Sequence, residues 1–534
     1  MTFSMKSEQR KPIKYKFPFI SNGSYKSMNR NMSSLMIRND SAVRNYYSNQ
    51  QPQQKNGDQT LLNNIGSFTK GFEHSDLGLV DLNSFLTLTK SLISKKPDDF
   101  ENIQLKGQRH LTNPQAGLSY DLEGKDSNSL VTPPPPSFSS DEMAGEIVEN
   151  YWMALARDIN FTNFTDSDPI IKEAIEDLNK RKVFKGPKDN NQVTVNTLFR
   201  GLTPGDLIGP YISQFFYLPI PFGASIIDSK MKTFKKNKDF MTTFENWENI
   251  QNGFNSLESL EWDEETRYIR NGRDLSAWVR MDVLYQAYFN AMLILMTPPT
   301  DASQQAGIGC RFNPTNPYIN SDTQDGFTTF GGPHICSLLA EVSNRALKHA
   351  WYHKWFVHLK LRPEAFGGAI HLNKKNQAGF PISSDLDNST VFEKVKEKNG
   401  GTYLLPQAFP EGSPMHPSYP AGHATVAGAC VTILKAFFDE TFEIPNPVIP
   451  DDNGLSLNTY TGNKLTVGNE LNKLASNVSF GRNFAGVHYR SDAIESQNMG
   501  EEFAISVLRD QKFLYNENFT GWRFTRFNGT ICEI

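Results

Sequence analysis

From residue 142 onward, apolar residues recur at helical spacing, and the every-other-residue alternation of a half-buried strand is scarce. The clearest instance is EMAGEIVENYWMALARDINF (142–161). The same periodicity predicts helices over 168–181, 210–218, 276–296, 335–361, 423–439, 467–480 and 487–511. The loops between them are long and hold most of the prolines and glycines, with no internal repeat. The fold class that follows is mainly α: helical bundles with long loops and little β structure.

The first part of the chain has a different texture. Residues 1–65 are rich in Asn, Ser and Gln, as in SNQQPQQKNGDQ, and read as a polar N-terminal arm, loosely structured or ordered only against a partner subunit. Residues 66–136 hold one modest helical segment, SDLGLVDLNSFLTLTKSLI, and end in four consecutive prolines, Pro133 to Pro136, a stiff linker. Residues 137–534 then read as one helical-bundle domain, the part of the chain expected to carry any catalytic site.

Charge and composition exclude several function classes. With 534 residues, 38% hydrophobic, the chain can bury a large core. A formal net charge of -4 and the lack of a long Lys/Arg block argue against nucleic acid as a partner. No segment reaches the roughly 18–20 apolar residues of a membrane span. The N-terminal MTFSMKSEQRKPIKYKF has no apolar core of a secretory signal, so an intracellular location is the default expectation. Cys310, Cys336, Cys430 and Cys532 lack metal-ligand spacing and are expected as reduced thiols.

The ionisable residues cluster. Eight of the ten histidines lie between His334 and His488. In HKWFVHLKLRPEAF (353–366), Lys354, His358 and Arg362 are spaced i, i+4, i+8 and would share one side of a helix that Pro363 ends. Alone this is a solvated cationic face, but the surrounding Trp, Phe, Val and Leu residues suggest a buried stripe in need of an anion. In HPSYPAGHATVAGACV (416–431), Gly422 lets backbone amides approach a ligand, and the helix starting near His423 points its free N–H groups at it. The alternative is a capped turn. In SFGRNFAGVHYRSDAI (479–494), the i, i+4 pair His488–Asp492 can orient the imidazole and leave its other nitrogen free as ligand or nucleophile. A helix-surface ion pair is the alternative there. Taken together, Lys354, Arg362, Arg482, Gly422, His423 and His488 suit a phosphate-shaped dianion.

The order Lys354-x7-Arg362-Pro363, Pro420-Ala-Gly422-His423, Arg482-x5-His488-x3-Asp492 resembles the shared signature of vanadium-dependent haloperoxidases and type 2 phosphatidic acid phosphatases. Beyond it, RNGRDLSAWVRMDVLYQAYFNAMLIL (270–295), residues 330–368 and HPSYPAGHA look like the bromoperoxidase branch of red algae and cyanobacteria, a likeness extending over roughly 140–530. The resemblance implies an orthovanadate cofactor bonded through vanadium to His488, with Asp492 steadying that ring. Lys354, Arg362, Arg482 and the Gly422 amide would hold its oxygens. His423 would manage protons, and His416 would match a histidine of the bromide-using branch. His353, beside the lysine, would influence halide choice. Two positions depart from the family form: Ala421 and Gly481 stand where serine is common.

The activity implied is oxidation of bromide and iodide by hydrogen peroxide to hypohalous acid, which halogenates an organic acceptor. A soluble acid phosphatase with His488 as nucleophile is the alternative, and an anion-binding structural protein with a decayed site a third reading. The resemblance also implies a homodimer that assembles into a larger homo-oligomer. Separately, NPYINSDTQDGF (316–327) offers Asp322 and Asp325 as oxygen ligands for calcium, though without EF-hand spacing.

Overall fold

The computed structural model describes residues 29–47, 52–299 and 306–534. At its centre runs the helix Gly422–Phe437, on which every residue but His423 is buried. This follows from its sequence: GHATVAGACVTILKAF has no polar face, so it needs neighbours on all sides. Gly332–Tyr352, Val467–Phe484 and Arg490–Gln511 supply them. The approach to Arg490–Gln511 is set by two glycines. A Cβ at Gly428 would stand 2.0 Å from the Gln497 carbonyl oxygen, and one at Gly500 would stand 2.0 Å from that of Thr425. Glycine at both positions lets the two backbones touch.

Around this centre pack Asp141–Ala156, Pro169–Asn179 and Gly272–Met281. Their starts are legible in the chain. Ser140 Oγ accepts from Met143 N–H at 3.1 Å, and Asp168 caps a helix whose first residue is Pro169. Trp152 and Tyr151 are wholly buried on the first of these helices, each contributing roughly 1.5–3 kcal/mol of apolar burial. Apart from isolated bridges, strand structure among the described residues is limited to four two-stranded antiparallel sheets, in keeping with the mainly α expectation.

Several predicted elements differ. Residues 210–218 hold only a 3-10 turn, Gln214–Phe216. The helix expected over 276–296 is two, Gly272–Met281 and Gln286–Met296, because Asp282 leaves the helical region at ψ 145°. The stretch 335–361 is a helix, Gly332–Tyr352, continued by a π-helical turn, His353–His358, and stopped at Leu359 in the left-handed region (φ 48°). Pro363 does not end that helix; it opens a new one, Pro363–Lys374, because it forces Arg362 into extended geometry (ψ 156°). Lys354, His358 and Arg362 therefore do not share a helical face, and His358 turns away, its Nε2 3.1 Å from Thr132 Oγ1.

Within the arm, Arg30–Tyr46 is a helix anchored by Arg44 Nη2 and Asn45 Nδ2 to Asp510 at 3.2 and 2.9 Å; residues 1–28 and 48–51 lie outside the described residues. The proline run packs against the helical body, with Pro133 accepting from Tyr419 Oη at 2.6 Å. All four cysteines are free thiols, and no helix among the described residues is long and apolar enough to cross a membrane.

Candidate active site

The three motif segments converge. Lys354 is delivered by the π-helical turn, Arg362 as the residue capping Pro363–Lys374, Gly422 and His423 at the start of the central helix, and Arg482 in the last turn of Val467–Phe484. His488 sits in the loop before Arg490–Gln511. Ser418 N–H donates to Lys360 O at 2.9 Å, which ties the 416–421 strand of chain to the segment that carries Lys354 and Arg362.

Arg362 is the hub. Its Nε donates to His416 O at 2.9 Å and its Nη1 to Val487 O at 2.8 Å. The same Nη1 lies 2.9 Å from His488 Nε2, and Nη2 lies 2.9 Å from His416 Nδ1. A guanidinium only donates, so His488 Nε2 carries the lone pair and Nδ1 carries the proton. That proton points at Asp492 Oδ2, 2.8 Å away. Asp492 also accepts from Ser418 Oγ and from Tyr489 N–H at 3.2 Å, and Lys360 Nζ stands 3.5 Å from its other oxygen. Burial alone would raise the Asp492 carboxyl. Lys360, with the His488 and Ser418 hydrogen bonds, overcomes this and holds it well below the usual carboxylate range.

Lys354 Nζ donates to Pro417 O at 2.6 Å and Ser418 O at 2.8 Å, so one of its three donors is uncommitted. Arg482 Nη1 donates to Val279 O at 2.9 Å, while its buried Nε has no partner among the described residues. Burial, and then the neighbouring Arg362, push the Lys354 ammonium well below its ordinary value. Burial and Arg482 bring Arg362 down to about 9, and burial brings Arg482 down to about 10 against the pull of Asp282 and Glu411. The imidazoles of His416 and His488 are lowered too, by burial first and then by Lys354 and Arg362 for the former and Arg362 for the latter. Three buried cations, with Arg362 and Arg482 lowering Lys354 and Arg482 lowering Arg362, mark a place short of negative charge.

Beside them lies a cavity of about 420 Å³ whose wall includes His416, Gly422, His423, Arg482 and His488. Gly422 is required by space, since a Cβ there would stand 2.9 Å from Leu347 Cδ1 and 3.1 Å from Trp351 Cζ3. The first N–H groups of its helix have no intrahelical acceptor and face an anion favourably. An unpartnered guanidinium nitrogen, a spare ammonium donor, a helix start and a lone pair on His488 Nε2 together fit a tetrahedral oxyanion whose central atom bonds nitrogen.

Some residues sit elsewhere than expected. His353 is fully buried with Nε2 3.0 Å from Ser127 O, turned away from the cluster. Ala421 caps the central helix without a side-chain hydrogen bond, its N–H donating to Ser496 Oγ at 2.7 Å. At Gly481 a Cβ would meet Val279 Cγ1 at 2.9 Å and Leu275 Cγ at 3.0 Å, so the close approach of the Gly272–Met281 helix accounts for glycine there. Asp322 and Asp325 are exposed, and no group of three or more His, Cys, Asp or Glu able to hold a metal occurs among the described residues.

Sequence reading missed Asp282, whose Oδ1 lies 3.1 Å from His423 Nε2, and Lys360 and Ser418 behind Asp492. Lys360 lies within the 353–366 motif, yet only its distance to Asp492 distinguishes its role from that of Lys354. Arg280, Arg109 and Glu411 complete the cavity wall, with Arg280 Nε donating to Glu411 Oε1 at 2.8 Å.

Residues 345–517 match the family model of the VCPO second helical-bundle domain. Across 90% of its length the chain is 36% identical to a vanadium-dependent bromoperoxidase of Corallina officinalis, spanning 92% of that protein. It is 35% identical to one of Ascophyllum nodosum, over 88% of this chain and 86% of the relative. The fold matches the homohexameric structure of the second vanadate-dependent bromoperoxidase of Ascophyllum nodosum with a TM-score of 0.88 at 30% identity, covering 100% of this chain and 94% of the other. With likeness in sequence and fold running the whole length of the helical body, this chain belongs to the vanadium-dependent bromoperoxidase family.

Proposed function

We propose that this protein binds vanadate and oxidises bromide and iodide with hydrogen peroxide, releasing hypohalous acid that halogenates organic acceptors. The observation that carries this reading is the charge-deficient cluster of Lys354, Arg362 and Arg482 beside His488, whose Nε2 lone pair accepts from Arg362 Nη1.

Bound vanadate supplies a Lewis-acid centre that withdraws electron density from a peroxide oxygen. The protein does the rest. His488 would hold the ion through Nε2, and Asp492, kept ionised by Lys360 and Ser418, fixes the tautomer that puts the lone pair on this nitrogen. Arg362, Arg482, the third donor of Lys354 and the Gly422 N–H balance the oxygens. His416 acts through Arg362, whose Nη2 it orients. His423, its Nε2 against Asp282, would serve as the proton acceptor for peroxide at the site. Assembly into a homo-oligomer built from dimers is part of the same proposal, supported by the hexameric relative.

The test is bromination of a phenolic dye by vanadate-reconstituted protein with bromide and peroxide, competed by inorganic phosphate. A protein that binds vanadate stoichiometrically yet brominates nothing would overturn the proposal. Hydrolysis of an aryl phosphate without vanadate, at a rate well above that of bromination, would instead make His488 the nucleophile of an acid phosphatase.

A further inference from the structure

The cavity wall is buried at its inner end and partly exposed toward solvent. His416, Arg482 and His488 are buried, whereas the side chains of Arg280, Glu411 and His423 are 26%, 31% and 31% exposed. A way out of the cavity therefore runs past Arg280 and His423. Immediately beside this exit stands Met281, the last residue of its helix and 58% exposed. It borders a second hollow, of about 310 Å³, that shares Asp282 with the cavity and is otherwise walled mainly by Trp262, Trp278 and Met231. Its sulfur is held: Arg280 Nη1, on the cavity wall, lies 3.6 Å from Met281 Sδ while Arg280 Nε stays on Glu411.

We infer that Met281 is a modification site, oxidised to the sulfoxide by hypohalous acid on its way out of the cavity. The inference rests on the bromide-oxidising reading above. The thioether sulfur attacks the electrophilic halogen, and water then delivers oxygen to sulfur as halide departs. In sum, R–S–CH3 and HOBr give R–S(O)–CH3, Br⁻ and H⁺. Sulfur loses two electrons, bromine gains two, and the bromide is returned for another turnover.

The tether matters for where this occurs. A thioether is a weak acceptor, but a sulfoxide oxygen is a strong one, so the Arg280 N–H that already faces Met281 is in place to hold the product. Met32, 51% exposed on the Arg30–Tyr46 helix, offers a thioether of nearly equal accessibility that belongs to neither hollow. Exposure alone would oxidise the two alike. Proximity to the exit would not.

The experiment uses full-length, vanadate-loaded protein with bromide, limiting peroxide and a phenolic dye, and maps Met281 and Met32 by peptide mass spectrometry as bromination is followed in the same sample. A second sample receives the same dose of reagent hypobromite, and a third receives peroxide without bromide. The expected result is Met281 sulfoxide exceeding Met32 sulfoxide several-fold during turnover, a ratio near unity with reagent hypobromite, and no Met281 sulfoxide without bromide. Met281→Leu should lose the mass shift and keep the bromination rate. Equal ratios in the first two samples, or dye bromination with Met281 unmodified, would overturn the inference while leaving the activity standing. Absence of dye bromination would remove the activity and the inference with it.

Discussion

Replacing Ala421 by serine should tighten vanadate binding by about tenfold. Ala421 is 2% exposed, takes the capping position of the central helix at φ -75° and ψ 126°, and contributes no side-chain hydrogen bond. A serine hydroxyl on that backbone can do two things at once. Its oxygen accepts from an N–H in the first turn, worth about 1 kcal/mol of helix stability. Its proton donates to the anion, a charge-assisted bond worth roughly 1.5–3 kcal/mol, of which the lower end corresponds to about a tenfold change in Kd. The two effects separate in the laboratory. Thermal unfolding without ligand reports the cap, and vanadate titration by equilibrium dialysis, with phosphate as competitor, reports the donor. A variant that melts higher but binds vanadate within about twofold of the parent would show that the hydroxyl faces only the helix, and that position 421 does not touch the anion.

Acid should destabilise the ligand-free protein. His353, His358, His416 and His488 all have folded-state values lowered by burial. The unfolded chain therefore binds protons below about pH 6.5 that the folded chain refuses, and stability falls with pH by up to about 1.4 kcal/mol per unit for each ring. Asp492, held low by Lys360, contributes in the same direction, its share being lost as pH falls below the ordinary carboxylate range. Urea denaturation between pH 7.5 and 5.5 should show a falling midpoint, and a flat profile would contradict the buried neutral rings. Lys360→Met leaves Asp492 buried without its nearest cation and should destabilise the fold by about 3 kcal/mol. A loss below about 1 kcal/mol, measured by the same denaturation, would place the support of Asp492 on Ser418 and His488 instead.

The helices that sequence anticipated best were those whose signal is strong in their own residues. Gly422–Phe437 lacks any polar face, and Pro169–Asn179 has its cap and proline in order. Where the reading failed, the cause lay between distant residues or in one backbone angle. Leu359 in the left-handed region broke the presumed stripe of Lys354, His358 and Arg362, so that His358 faces Thr132 and Arg362 faces His488. Position 210–218 is apolar enough for a helix, yet Ser213 N–H is taken by Asn477 and Gln214 N–H by Glu470, contacts across more than 250 residues.

The residue types of the cradle, their order along the chain and the helical character of the body were all set by the sequence itself, because periodicity, caps and motif spacing act within a few residues. Which nitrogen of His488 carries the lone pair, that Asp282 partners His423 across 141 positions, and that Lys360 rather than Lys354 supports Asp492 were decided only by packing. Charges acquire these roles through burial and distances of about 3 Å, and both come into being only when the chain has closed on itself.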